Sequence, residues 1–100
     1  ALDAGNGDAG VELSYSYGFD KDSVKMLDSL RAGARLGSQQ CLIKLENMYL
    51  GGNYGQQKDK AHGACYKTLR DELDLFEQPQ TIPDFDERCP QLPVLPYNLP

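Results

Sequence analysis

All six prolines of this 100-residue chain stand in its last 22 positions, at Pro79, Pro83, Pro90, Pro93, Pro96 and Pro100. Proline lacks the backbone N–H, and its ring clashes with the preceding helical turn, so only a proline-free stretch can be helical throughout. The chain therefore divides into residues 1–78, free to form helices, and a tail of residues 79–100. The tail is predicted to be extended and largely polyproline-II-like, with a turn at Pro83-Asp84. Its apolar residues Ile82, Phe85, Leu92, Val94, Leu95, Tyr97 and Leu99 are too many for a solvated linker, and it is expected to pack back onto the helices.

Within residues 1–78 the chain repeats itself. Gly5, Ala9, Leu13 and Tyr17 fall four apart, and so do Gly37, Cys41, Leu45 and Tyr49, 32 residues later. A small residue, a leucine and a tyrosine at this spacing draw one apolar stripe along a helix. A breaker follows each stripe: Gly18-Phe19-Asp20 in the first copy, Gly51-Gly52-Asn53-Tyr54-Gly55 in the second. Helical spacing then resumes, with Val24, Leu27, Leu30 and Ala34, and with Ala61, Cys65, Leu69, Leu73 and Phe76. The spacing predicts four helices over 5–18, 21–36, 38–51 and 58–77, with Asp20 or Asp22 capping the second and Asp59 in the first turn of the fourth. Strand signals are weak, and the fold class is all-α. Two stacked helical hairpins would make a short right-handed α-solenoid.

The pattern resembles the Sel1-like repeat, a relative of the tetratricopeptide repeat. The second copy carries the resemblance with Ala34, Gly37, Leu45, Tyr49, Gly52, Asp59, Lys60, Ala61 and Tyr66, and with Cys41 at a position usually small. The first copy matches at Gly5, Ala9, Leu13 and Tyr17. Glu46 and Ser14 depart from the glycine that normally follows the leucine, and the first copy lacks the Gly-x-Gly and Lys-Ala elements. The resemblance implies close helix approach at Gly5, Ala9, Gly37 and Cys41, tyrosines filling the wider end of each hairpin, and positive φ in the glycine-rich turn. With its Cys89-Pro90-Gln91-Leu92-Pro93 tail, the layout is also similar to a narrower group of bacterial Sel1-like proteins. Several of these resemble periplasmic immunity proteins encoded beside type VI secretion phospholipase effectors, which they neutralise by binding. That resemblance implies a non-enzymatic antitoxin-type protein with a protein partner and no cofactor.

Composition narrows the field further. Hydrophobic residues at 40% and charged residues at 25% exclude wholesale disorder. No run of about 18 apolar residues is present to span a bilayer. A net charge of −5 argues against nucleic acid and for a basic partner. The chain opens on Ala1 with neither a methionine nor a signal-peptide core, and is read as a processed piece of something longer.

The residues that could carry chemistry are few. Cys41, Cys65 and Cys89 show no C-x-x-C spacing, and one histidine, His62, does not complete a zinc site with them. An exported protein permits one disulfide. Folding the second hairpin at Gly55 sets Cys65 opposite residue 45, roughly 6 Å along the axis from Cys41, which disfavours that pair. Cys89, on the tail, could reach Cys41 or Cys65; buried free thiols are the alternative. His62 has no nucleophile on a recognisable elbow beside it and reads as an exposed surface histidine. The glycines of GGNYGQQK lack phosphate-loop spacing, and Asp84-Phe85-Asp86-Glu87 lacks the EF-hand ladder.

What remains points to binding. Asp71, Glu72, Asp74, Glu77, Asp84, Asp86 and Glu87 crowd the C-terminal third, either as a solvated face or as a patch that steers a basic partner. Of these, Asp71, Asp74 and Glu77 are the candidate contacts. Tyr15 points away from the stripe that holds Tyr17, and Tyr54 sits at the tip of the turn; both are candidate contact residues, tyrosine being enriched in binding hot spots. An inhibitor that occludes a toxin needs about 800 Å² of interface, within reach of a chain this size. The rival readings are a non-inhibitory adaptor and a small hydrolase whose nucleophile the sequence does not show.

Overall fold

The computed structural model describes residues 7–75 and 80–99, and every regular element among them is helical. In chain order these are α1 (Ala9–Phe19), α2 (Ser23–Arg35), α3 (Gln39–Gly51), α4 (Lys60–Leu73) and a single turn, α5 (Phe85–Arg88). Three starts are set by side-chain caps that satisfy an orphan backbone N–H. Asp22 accepts from the Lys25 amide at 3.0 Å, Ser38 from the Cys41 amide at 3.2 Å, and Asp59 from the His62 amide at 2.9 Å. Asp20 lies at the C-terminal end of α1, so Asp22 is the cap of α2.

The heaviest contacts join α1 to α2 and α3 to α4. A third interface joins α2 to α3, and a lighter one joins α1 to α3. The core is Leu27, Leu30, Ala34, Cys41, Leu42, Leu45, Met48, Tyr49, Tyr66, Leu69 and Leu73, completed by Ile82, Phe85 and Cys89 from the tail. The second stripe, Cys41, Leu45 and Tyr49, is therefore wholly buried.

The first stripe is displaced by one residue. Gly5 lies outside the described residues, Ala9 and Tyr17 are half-buried, and Leu13 is 39% exposed, while Gly10 and Ser14 are buried. The cause is close approach. A Cβ on Gly10 would stand 2.5 Å from the Ser29 carbonyl and 3.1 Å from Cys41 Sγ, and one on Gly33 would collide with the Gly7 carbonyl and Cys41 Sγ. A ridge of glycine and serine fits this seam; a leucine does not, so Leu13 turns outward. The helix also starts at Ala9, after a turn at Gly7-Asp8. Glycine costs about 1 kcal/mol in a helix interior, which disfavours extending it through Gly7.

Two other expected stripe positions are solvent-facing. Val24 is 50% exposed because α2 turns part of its buried sector toward α1, through Met26, Ser29 and Gly33, and leaves Val24 at the far edge. Ala61 is exposed in the first turn of α4, whose inner face is Gly63, Tyr66, Leu69 and Leu73. Phe76 lies outside the described residues, and α4 ends at Leu73, short of the expected 77. Gly37 is in the turn after α2, with φ +90, and a side chain there would strike the Gln80 backbone of the tail.

The tail is a strap in which the expected turn at Pro83-Asp84 runs on into a single helical turn, α5, with no regular element after it among the described residues. The Ile82 amide donates to the Arg35 carbonyl at 2.9 Å, and α5 sets Phe85 into the core. Further on, the Leu95 amide donates to the Gly55 carbonyl, and the Tyr54 amide to the Asn98 carbonyl. The Asn98 side chain accepts from the Gly55 amide and donates to the Gly52 carbonyl. The strap thus begins at the α2–α3 turn and ends on the α3–α4 turn.

Candidate functional site

The α3–α4 turn is wound tightly. Gly52, Tyr54 and Gly55 all take positive φ (69, 57 and 80), and the tail fastens the turn from outside. For a tyrosine this left-handed conformation is uncommon, and the Asn98 hydrogen bonds hold it. Tyr54 is thereby set at the mouth of a cleft of about 240 Å³ lined by Met26, Lys44, Asn47, Met48 and Asn53. The Tyr97 ring lies 6.0 Å from that of Tyr54. On the other side, Lys44 Nζ lies 4.4 Å from the ring centroid of Tyr15, which is 52% exposed. Phe19, one turn beyond Tyr15 on the same stripe of α1, is 89% exposed. The two tyrosines singled out from the sequence therefore flank one lysine on one face.

Five of the other cations have carboxylate partners among the described residues, whereas Lys21, Lys25, Lys58 and Lys60 are exposed and have none there. Arg31 and Arg35 share Asp86, Lys67 holds Asp71, Arg70 holds Glu46, and Arg88 holds Glu72. Among the described residues no carboxylate stands within ion-pair distance of half-buried Lys44.

The carboxylates of the C-terminal third are largely engaged within the fold. Asp71 pairs with Lys67 at 2.9 Å, and Asp74 accepts from Gln39 Nε2 at 2.6 Å. The Arg88 guanidinium holds the Glu72 carboxyl below its ordinary range, and Arg35, aided by Arg31, does so for Asp86. Asp84 and Glu87 are exposed, and Glu77 lies outside the described residues. Asp74 meets α3 at its first residue, whereas Tyr54 follows its last. At 1.5 Å per residue, the 13 residues of α3 put about 18 Å between these ends. The structure does not bring the acidic candidates and the tyrosine candidates together.

A second cluster escaped the sequence reading. Arg31 is 1% exposed; its Nη1 donates to the Tyr66 hydroxyl at 2.8 Å and its Nη2 to Asp86 Oδ1 at 2.8 Å, while its guanidinium lies 4.6 Å from the Phe85 centroid. Tyr66 stacks on Tyr49, with centroids 5.7 Å apart, and His62 stands edge-on to both rings. His62 Nε2 lies 3.0 Å from the Tyr66 hydroxyl. That hydroxyl accepts from Arg31 and keeps both a proton and an acceptor site, so it can pair with either tautomer of a neutral imidazole. Burial lowers the His62 pKa, with the Arg31 charge acting in the same direction and Asp59 against it. Burial likewise raises the phenols of Tyr66 and Tyr49. His62 is thus a half-buried member of a packed cluster, correcting the expectation of an exposed histidine. The signal for Arg31 was its position four residues after Leu27, inside the apolar stripe.

Cys89 is bonded to Cys65, with Cα atoms 5.8 Å apart, and joins the tail to α4. Cys41 is a free, buried thiol that donates to the Gly7 carbonyl at 3.4 Å, and burial raises its pKa. Among the described residues no cluster of histidine, cysteine and carboxylate is arranged to hold a metal ion. In comparisons with known proteins, no family model, no curated protein and no solved structure matches the chain.

Proposed function

We propose that the chain is a helical-repeat binding protein whose two hairpins are successive turns of a short right-handed solenoid. In this reading it acts as an immunity protein that neutralises a secreted antibacterial phospholipase in the bacterial periplasm by binding and occluding it. The observation that carries the binding role is the face of α1, α3 and the α3–α4 turn. There Tyr15 and Tyr54 flank a half-buried lysine and a cleft, with exposed Phe19 one turn beyond Tyr15 on α1. Tyrosine and other aromatic residues are enriched in protein-contact hot spots. The resemblance to Sel1-like repeats supplies the class of partner. A disulfide that fastens the tail suits an oxidising compartment.

The test is calorimetry with candidate phospholipase effectors encoded near this protein, paired with a lipid-hydrolysis assay. Nanomolar binding with loss of hydrolysis is the expected result. Binding that leaves hydrolysis intact would move the assignment to an adaptor of envelope complexes, the other reading that an exposed aromatic face permits. Absence of binding by folded protein would reject the immunity role.

A further inference from the structure

We infer that the Lys44 face binds an extended peptide segment bearing one carboxylate beside a bulky apolar side chain. This deepens the binding role proposed above by naming the chemistry of the partner at that face.

Three features of the face specify this occupant. The first is charge. Lys44 is half-buried and its ammonium rests on the Tyr15 ring, while five other basic side chains each hold a carboxylate of this chain and the remaining four, Lys21, Lys25, Lys58 and Lys60, are exposed to water. A partly desolvated ammonium with a ring on one side still has hydrogen-bond donors to place, and a carboxylate is their strongest acceptor. The second is the cleft beside it. Its floor is Met26 and Met48, flexible apolar side chains that mould to a guest. Its volume, about 240 Å³, is below the roughly 300–1,000 Å³ of pockets for drug-sized ligands, so it suits one side chain of a larger partner. The third is the rim. Asn47 and Asn53 each offer a carboxamide that donates and accepts, which matches a peptide group on both its N–H and C=O. Tyr15, Phe19 and Tyr54 provide flanking apolar surface along the way.

The occupant's charge is bounded on both sides. A net charge of −5 on the whole chain disfavours polyanions. A lone carboxylate in an otherwise apolar segment escapes that repulsion and still engages Lys44. Among the acidic residues of the C-terminal third, Asp71, Glu72 and Asp86 pair with cations of the fold, and Asp74 lies at the far end of α3 from this face.

The experiment titrates isotope-labelled full chain with capped peptides and follows backbone and side-chain amide shifts. The probe is Gly-Ser-Leu-Glu-Phe-Ser-Gly, with Gln and Lys versions at the central position as controls. The inference expects shifts concentrated at Tyr15, Lys44, Asn47, Asn53 and Tyr54, and at least fivefold tighter binding of the Glu peptide than of the Gln peptide. The Lys44→Gln variant, with its fold checked by the spectrum itself, should lose that preference, and Lys44→Arg should keep it. Equal binding of the Glu and Gln peptides, preference for the Lys peptide, shifts elsewhere, or none at millimolar peptide would each overturn the inference. Binding of a phospholipase effector that survives Lys44→Gln and is not competed by the peptide would leave the immunity role standing without this site. Peptide binding with no effector binding would do the reverse.

Discussion

The Cys65–Cys89 bond is the cross-link between the tail and α4, and its worth follows from the loop it closes. Twenty-four residues separate the two cysteines. In the chain-entropy treatment, a loop of this length removes about 11–12 cal/mol/K from the unfolded ensemble, or about 3 kcal/mol at 25 °C. For a chain near 100 residues, 1 kcal/mol moves the midpoint by about 4–8 °C, so loss of the bond should lower Tm by roughly 12–24 °C. The reduced protein should still fold, because Phe85, Ile82 and the Asp86 ion pairs continue to hold the strap. The assay is thermal unfolding by far-ultraviolet circular dichroism, with and without a phosphine reductant, on the wild type, the Cys65→Ser/Cys89→Ser double variant and Cys41→Ala. Reduced wild type and the double variant should fall together, and Cys41→Ala should keep its full response to reductant. A drop of less than about 4 °C, or a Cys41→Ala variant that no longer responds, would refute the reasoning.

Further predictions concern the core and its titrating group. Because His62 is held neutral with a lowered pKa, the unfolded chain binds its proton first as pH falls. The resulting stability is complete above the unfolded value of 6.5 and is lost as pH drops through the lower folded value, so Tm should decline from pH 7 to 5 in wild type and much less in His62→Gln. The displaced register of α1 predicts that Leu45→Ala costs about 2–5 kcal/mol in urea unfolding and Leu13→Ala less than about 1 kcal/mol. Similar losses at both positions would restore the stripe read from the sequence. At the α1–α2 seam, Gly33→Ala should be strongly destabilising, by about 2 kcal/mol or more, because its Cβ meets the Gly7 carbonyl and Cys41 Sγ. Gly63→Ala, whose Cβ would sit 3.3 Å from the Glu46 carbonyl and gains about 1 kcal/mol of helix propensity, should change stability by less than about 1 kcal/mol.

Local chemistry made the helices readable from the chain alone. Apolar spacing located all four long helices, the second and third to within two residues at either end, since periodicity and the caps Asp22 and Asp59 act over four residues or fewer. The proline boundary separated the helices from the strap for the same reason. The second stripe, Cys41, Leu45 and Tyr49, was likewise visible by its spacing, and the exposure of Tyr15 by its facing away from the stripe of Tyr17.

Only the tertiary fold decided which face of α1 is buried, because the answer lies in Ser29, Gly33 and Cys41 on other helices, where there is room for glycine and serine and none for leucine. The same holds for Arg31, whose partners Tyr66 and Asp86 are 35 and 55 residues away. It holds again for Cys89, which could reach either of two helices until the strap's path past Arg35 and Phe85 set it against α4. The partners of the acidic third were settled by the fold for this reason also. Charge along a sequence adds up without regard to partners, whereas in space Lys67, Arg35 and Arg88 pair with Asp71, Asp86 and Glu72, and half-buried Lys44 rests on Tyr15 beside a cleft that Tyr54, 39 residues further along the chain, also lines.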